Sequence, residues 1–422
     1  MKAKRILSVL LAAMLTAGAM AGCSSNQSGG ESSASQGGDS SVQESVAATE
    51  KTDVDLWYYW ETVKHQEALD DLITKYNDGQ ESVTVTAKYV PFADFKKQLS
   101  IGASAAELPD LVIIDSPDHA AYASMGIFAD ITGKFDTSNY YQGPVDSCTI
   151  DGKLYGVPAD VNCLGLFYNV DMLEEANCEV PTTWDELAEV SKALTKDNVT
   201  GFAFCSLQNE EGTFNFLPWF WSTGIDTYDI NSEGGVKALS FVKGLVDSGA
   251  MSKECINWTQ GDVMNQFISG NVAMMINGPW QIPTMKAEAP DLNWDVALIP
   301  KDSEYASTIG GENFAVIAGG NEDEALDFLE YLTAKEQIEY LMVAMGNISP
   351  DKTIAENQFT DDPAMQKFAE QMEYAKARGP HESWPEISDA ISLAMNETIT
   401  GASAPADAAA KAQETIDSVL NK

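Results

Sequence analysis

The chain is poor in arginine, in histidine and in patterned cysteine. Two arginines, Arg5 and Arg378, occur in 422 residues. Acidic solutes are usually gripped by bidentate arginine, so an anionic ligand is disfavoured. Nucleic acid is excluded as a partner, because phosphate neutralisation needs clustered lysine and arginine and the formal net charge is −39. The acidity otherwise reads as a solvated surface. His65, His119 and His381 stand far apart with no H-E-x-x-H between them, so a zinc enzyme has no support and no metal is expected. No C-x-x-C occurs. Apart from Cys23, the cysteines at 148, 163, 178, 205 and 255 are odd in number and read as buried free thiols rather than a disulfide framework. Beyond the N-terminus no run is apolar for eighteen residues, so no helix is expected to span a membrane. Nothing resembles G-x-S-x-G, and no cofactor is expected.

What is present is a globular composition, with 44% hydrophobic residues, and enough length for two domains. Lys2, Lys4 and Arg5 precede the apolar run from Ile6 to Ala17, and Met20-Ala21-Gly22-Cys23 supplies small residues before a cysteine. Residues 1–22 are therefore a signal peptide of lipoprotein type, with Cys23 as the lipid-attachment residue. Its removal leaves 22 basic and 64 acidic side chains, a formal charge of −42. Ser24 to Glu50 is rich in Ser, Gly and Gln, and reads as a flexible tether that spans roughly 30 Å by random-coil scaling. One acyl chain holds a protein only marginally, so stable attachment needs two or three.

From Asp53 the pattern alternates. DVDLWYYW (53–60) is a strand, and Ala68, Leu69, Leu72, Ile73 and Tyr76 mark a helix. Ser82 to Val90, Phe92 to Ile101 and Leu111 to Ile114 continue as strand, helix and strand, which predicts a parallel sheet covered on both faces. Trp60-Glu61 and Asp115-Ser116 then end neighbouring strands at one rim, where ligands collect in open α/β sheets. Further on, Thr183 and Glu186 form a capping box. Phe214 to Trp221, FNFLPWFW, is too aromatic for an ordinary exposed loop. Val272 to Ile276 reads as a buried strand and Pro279 opens a helix, with Trp280 on the tight turn between them, facing a cleft. Asn321 with Glu324 reads as another helix cap, and Pro405 to Leu420 as an amphipathic closing helix.

Several of these stretches resemble one family. FISGNVAMMINGPWQIPTM (267–285), LPDLV (108–112) with GIFAD (126–130), YGVPADVNCLGLFYNVDML (155–173), GGENFAV (310–316) and GPHESWPEI (379–387) are similar to segments of extracellular solute-binding proteins of ABC sugar transporters, the maltose-binding-protein-like family. The resemblance implies an α/β, two-lobed periplasmic-binding-protein type II fold, with three crossover segments and a ligand cleft between the lobes. It places 23–52 as lipidated cysteine and linker, 53–163 plus 307–349 as one lobe, and 164–306 plus 350–422 as the other. Asp160 to Gly165 is the expected hinge. It also implies a mono- or oligosaccharide ligand, ABC permease subunits as membrane partners, attachment to the membrane through the lipid, a monomer and no enzymatic activity.

A pyranose has apolar faces and a rim of hydroxyls, so it calls for aromatic platforms and carboxylate or amide acceptors. Trp60, Glu61, Asp115 and Trp280 are candidates on that chemistry. Trp219, Trp221, Glu312, Asn313 and Trp384 are added by the family's pattern, and Gly310-Gly311 would let the backbone come near a bound molecule. Two rival readings use the same residues: a lipid-anchored glycoside hydrolase with Glu61 and Asp115 as acid and base, and a glycan adhesin that does not close.

Overall fold

The computed structural model of the protein describes residues 51–225, 227–379 and 381–421. The expected signal peptide over residues 1–22, the expected lipid-attachment residue Cys23 and the expected tether up to residue 50 lie outside the described residues. Strand β1 (Thr52–Tyr58) pairs in parallel with β2 (Val83–Tyr89), from Thr52↔Val83 to Tyr58↔Tyr89, and with β3 (Leu111–Asp115). Val54, Leu56 and Tyr58 alternate inward on β1. Helix α1 (Val63–Gly79) buries Ala68, Leu69, Leu72, Ile73 and Tyr76, the positions its periodicity marks, and Thr62 caps it by accepting the His65 N–H. Helix α2 (Phe92–Ala105) follows β2. The expected all-parallel sheet is corrected: beyond β3 the order continues with strands Glu312–Val316 and Val157–Pro158, both antiparallel to their neighbours. Glu312–Val316 re-enters this sheet directly from another one, with no covering helix to turn it round.

A second sheet orders Trp294–Ala297, Gly165–Asn169 and Met274–Asn277, with antiparallel pairing throughout. The helix Glu210–Ser222 packs against the strand Ser307–Gly310 and the helices Glu233–Asp247 and Trp384–Thr400 and is buried at every position, and this is why FNFLPWFW is so apolar. The capping box at Thr183 and Glu186 forms. Asn321 precedes the helix Glu322–Thr333 but makes no side-chain cap; its amide donates to the Asp53 carbonyl instead.

The apolar cores divide the molecule in two. One is built from residues 54–159 and 314–354, and the others from 163–306 and 364–419. The two-lobed α/β class therefore holds. The chain passes between the lobes three times: after Val157–Pro158, through Ser307–Gly310 into Glu312–Val316, and at Ile348, which bridges to Val161. Gly311, with φ of +132°, sits on the second passage, where a Cβ would stand 2.3 Å from the Asp160 carbonyl oxygen. Gly310 is equally confined by the Asn162 side chain. The two glycines thus let neighbouring passages touch.

Candidate functional site

The three passages form the floor of an open-mouthed cavity of about 100 Å³. Asn162, Gly310, Gly311 and Asn347 line it from below. The first lobe contributes the turn Tyr59 to Thr62 that leaves β1, together with Phe92 and Asp115. Glu210, Glu211, Phe214, Gln260, Trp280 and Arg378 come from the second. Trp60, Glu61 and Asp115 meet here because parallel strands β1 and β3 end at one rim. Trp280 arrives from the far lobe on the short 3-10 turn Pro279–Gln281 after its strand, and its ring lies 6.1 Å from that of Phe214.

Four of the nine candidate side chains do not line the cavity, and each is corrected on packing grounds. Trp219 is fully buried among Trp184, Phe202, Phe204 and Phe241, with ring centroids 5.6–6.1 Å apart. Trp221 is equally enclosed and donates its N–H to Thr227 Oγ1 at 3.1 Å. Trp384 is fully buried, but its N–H donates to Glu210 Oε2 at 2.9 Å, so it orients a lining carboxylate from behind. Asn313 follows Glu312 on a strand and therefore faces the other way, donating to Ser147 Oγ at 3.0 Å. Trp60, Glu61, Asp115, Trp280 and Glu312 share the one cavity.

Sequence reading missed Arg378, Glu210 and Glu211 as site residues. The signal was available, since Arg378 is one of two arginines in the chain and Glu210-Glu211 shortly precedes the aromatic segment. Arg378 donates to both Asp115 oxygens, at 2.7 and 2.8 Å, and to Glu210 Oε1 at 2.6 Å, while its guanidinium lies 4.5 Å over the Phe214 ring. Asp115 belongs to the first lobe and Glu210 and Arg378 to the second, so this buried cluster ties the lobes together. Lys96 pairs with Asp118 at 2.9 Å beside it. With Asp115 occupied twice over, neither oxygen is free to act as a general acid or base.

The other carboxylates are held differently. Glu312 Oε1 accepts the Tyr59 hydroxyl at 2.8 Å, and Glu312 shares a hydrogen bond with Asp160. Burial pushes both acids upward, Asp160 far above the carboxylate range, so one proton lies between them. Glu61 Oε1, from the first lobe, accepts the Gly261 N–H at 3.1 Å, and Glu211 Oε1 accepts the Gln260 N–H at 2.5 Å. Both amides open the helix Gln260–Ile268, whose N-terminus favours negative charge. Burial, then the nearby Glu61, raises Glu211 to about 8. Glu61 keeps an exposed side at the cavity mouth, but the protein packed around its carboxylate raises it as well, against the opposing pull of the Gly261 bond. Burial also lowers His65 to about 4, so the ring is neutral at pH 7, and its Nε2 lies 3.0 Å from the Met345 carbonyl oxygen. Among the described residues no cluster of side chains suits a metal ion, and no helix is long and apolar enough to cross a membrane.

Two lobes of α/β structure, joined by three passages that floor an aromatic, carboxylate-lined cavity, define a binding protein of the clamshell class. The family model for bacterial extracellular solute-binding proteins matches residues 71–367, and the chain belongs to that family. A putative binding protein of Brucella abortus is 27% identical over 361 residues, covering 81% of this chain and 86% of that one. The lactose-binding protein of Rhizobium radiobacter is 28% identical over 324 residues, 70% of this chain and 74% of its own. Among solved structures, an ABC transporter solute-binding protein of Thermotoga lettingae bound with α-D-tagatose superposes with a TM-score of 0.82 at 24% identity, covering 88% of this chain and all of that one.

Proposed function

We propose that the protein is the substrate-binding component of an ABC transporter, that it captures a mono- or oligosaccharide between its lobes, and that it delivers the sugar to a membrane permease. On this reading Cys23 carries the lipid that holds the protein to the outer face of the cytoplasmic membrane, and the protein works as a monomer without enzymatic activity. The lobes comprise about 53–163 with 307–349 and 164–306 with 350–422, boundaries that agree with the division of the apolar cores to within a few residues.

The observation that carries the reading is that Trp60 and Trp280, from opposite lobes, line one cavity together with Glu61, Asp115 and Glu312. Indole faces receive the apolar faces of a pyranose, and carboxylates accept from its hydroxyls. Burying one indole removes some 150–250 Å² from water, worth about 4–6 kcal/mol as an upper bound before the entropy of binding is subtracted. A solute touching both lobes stabilises the closed arrangement by its differential affinity, and the closed shape is what a permease reads. The lactose and tagatose in the names of the two relatives above support a sugar over other neutral solutes.

The test is calorimetric titration with a panel of neutral and amino sugars, followed by recovery of the sugar. One-site binding with the sugar returned intact is expected. Cleavage products would favour a hydrolase, and absence of binding across the panel would remove the sugar assignment.

A further inference from the structure

Five carboxylates line the cavity, but the protein compensates only three of them. Asp115 and Glu210 share the Arg378 guanidinium, and Glu312 receives the Tyr59 hydroxyl and shares the Asp160 proton. Glu61 and Glu211 remain. Each accepts one backbone amide of the same helix start, and among the described residues neither forms an ion pair with any lysine, arginine or histidine. The other titratable groups acting on the pair are Asp262, the Cys205 thiol beside Glu211, and Tyr89, and none of them is a cation. Brought from opposite lobes to adjacent amides, the two carboxylates cannot both ionise without opposing the closure that the rest of the cavity is built for, and burial with this repulsion keeps a proton on Glu211 at pH 7.

A second feature of the cavity also awaits a ligand. Trp60 lines it, is 4% exposed, and has an indole N–H with no partner in the protein. A donor placed beside acceptors in surplus suits a solute that carries both an acceptor oxygen and a cation.

We propose that the cavity takes a sugar bearing a free amine, with its ammonium seated between Glu61 and Glu211 and a ring or hydroxyl oxygen on the Trp60 N–H. This rests on the sugar-binding reading above and narrows it. An ammonium supplies the charge that both carboxylates lack, bridges the lobes by pairing with one group from each, and leaves the sugar faces to Trp60 and Trp280. A neutral sugar offers only hydroxyl donors there, and an acidic one adds repulsion.

The experiment compares matched triples that differ only at C2: cellobiose, deacetylated chitobiose and N,N′-diacetylchitobiose, and galactose, galactosamine and N-acetylgalactosamine. Each is titrated into the protein at pH 7, at low salt and at high salt. The amino member is expected to bind at least about 10-fold tighter than its neutral partner, with the margin shrinking in high salt. Glu211→Gln and Glu61→Gln should each erase the margin while keeping a native circular dichroism spectrum; Glu61 is exposed at the mouth, so its variant reports even if the buried Glu211 variant fails to fold. The proposal is overturned if the neutral or N-acetyl member binds as tightly as the amino one, or if the preference survives in Glu61→Gln. It is also overturned if another neutral sugar of the panel binds while no amino sugar does, an outcome that leaves the broader sugar assignment standing. Failure of every sugar removes both.

Discussion

Trp60 and Trp280 border the cavity, whereas Trp219, Trp221 and Trp384 are enclosed within the second lobe. All five are indoles in apolar surroundings, so the difference lies in the backbone that carries them. Trp60 and Trp280 occupy short turns directly after strands, where parallel or converging strand ends leave a crevice. Trp219 and Trp221 belong to a helix that is buried on every side, and Trp384 opens another whose face packs against it. Placement at a strand end, and not aromatic density, marks an indole as available to a solute.

The largest effect should come from the core set. Trp219→Ala is expected to cost about 3–5 kcal/mol of stability in denaturant unfolding, because it leaves a cavity among four aromatic rings, with no selective loss of affinity at temperatures where the variant is folded. Trp280→Ala should invert that pattern: sugar affinity falls by about 2–3 kcal/mol in calorimetry while the denaturation midpoint moves little. Equal loss of stability in both variants would erase the distinction.

A third contrast is set by pH. His119 is buried in the first lobe, and burial lowers it to about 3. The unfolded chain takes up this proton near pH 6.5 and the folded chain does not, so stability is present above 6.5 and is lost as pH falls below it. His119→Gln cannot titrate, so relative to the wild type it should gain about 2 kcal/mol between about pH 7.5 and 5, read from urea midpoints at each pH. A constant gap would mean that His119 titrates alike in the folded and unfolded chain and is not held neutral by burial. The smallest effect belongs to Thr183→Ala, which removes a capping box in the second lobe away from the cavity and should cost about 1 kcal/mol by thermal unfolding, with sugar affinity unchanged.

Much of the first lobe was legible because its helix and strand periods are clean: the buried residues of α1 are those the pattern selects. Antiparallel re-entry of Glu312–Val316 was not, since period-2 alternation is blind to strand direction. In the site, Trp60 and Asp115 followed from strand ends and Trp280 from the turn at Gly278-Pro279. Trp219 and Trp221 failed because sequence cannot tell a wholly buried helix from a cleft wall. Asn313 failed by one step of the pleat. Arg378 was counted as scarce and therefore set aside, yet it is committed to Asp115 and Glu210, and among the described residues Glu61 and Glu211 form no ion pair.

The most direct test is a crystal structure of the protein with the tightest-binding sugar of the panel. The sugar ring is predicted to lie in contact with the Trp60 and Trp280 indoles, with its polar groups on Glu61, Glu211 or Glu312. A sugar bound elsewhere, with both indoles untouched, would contradict the assignment of this cavity.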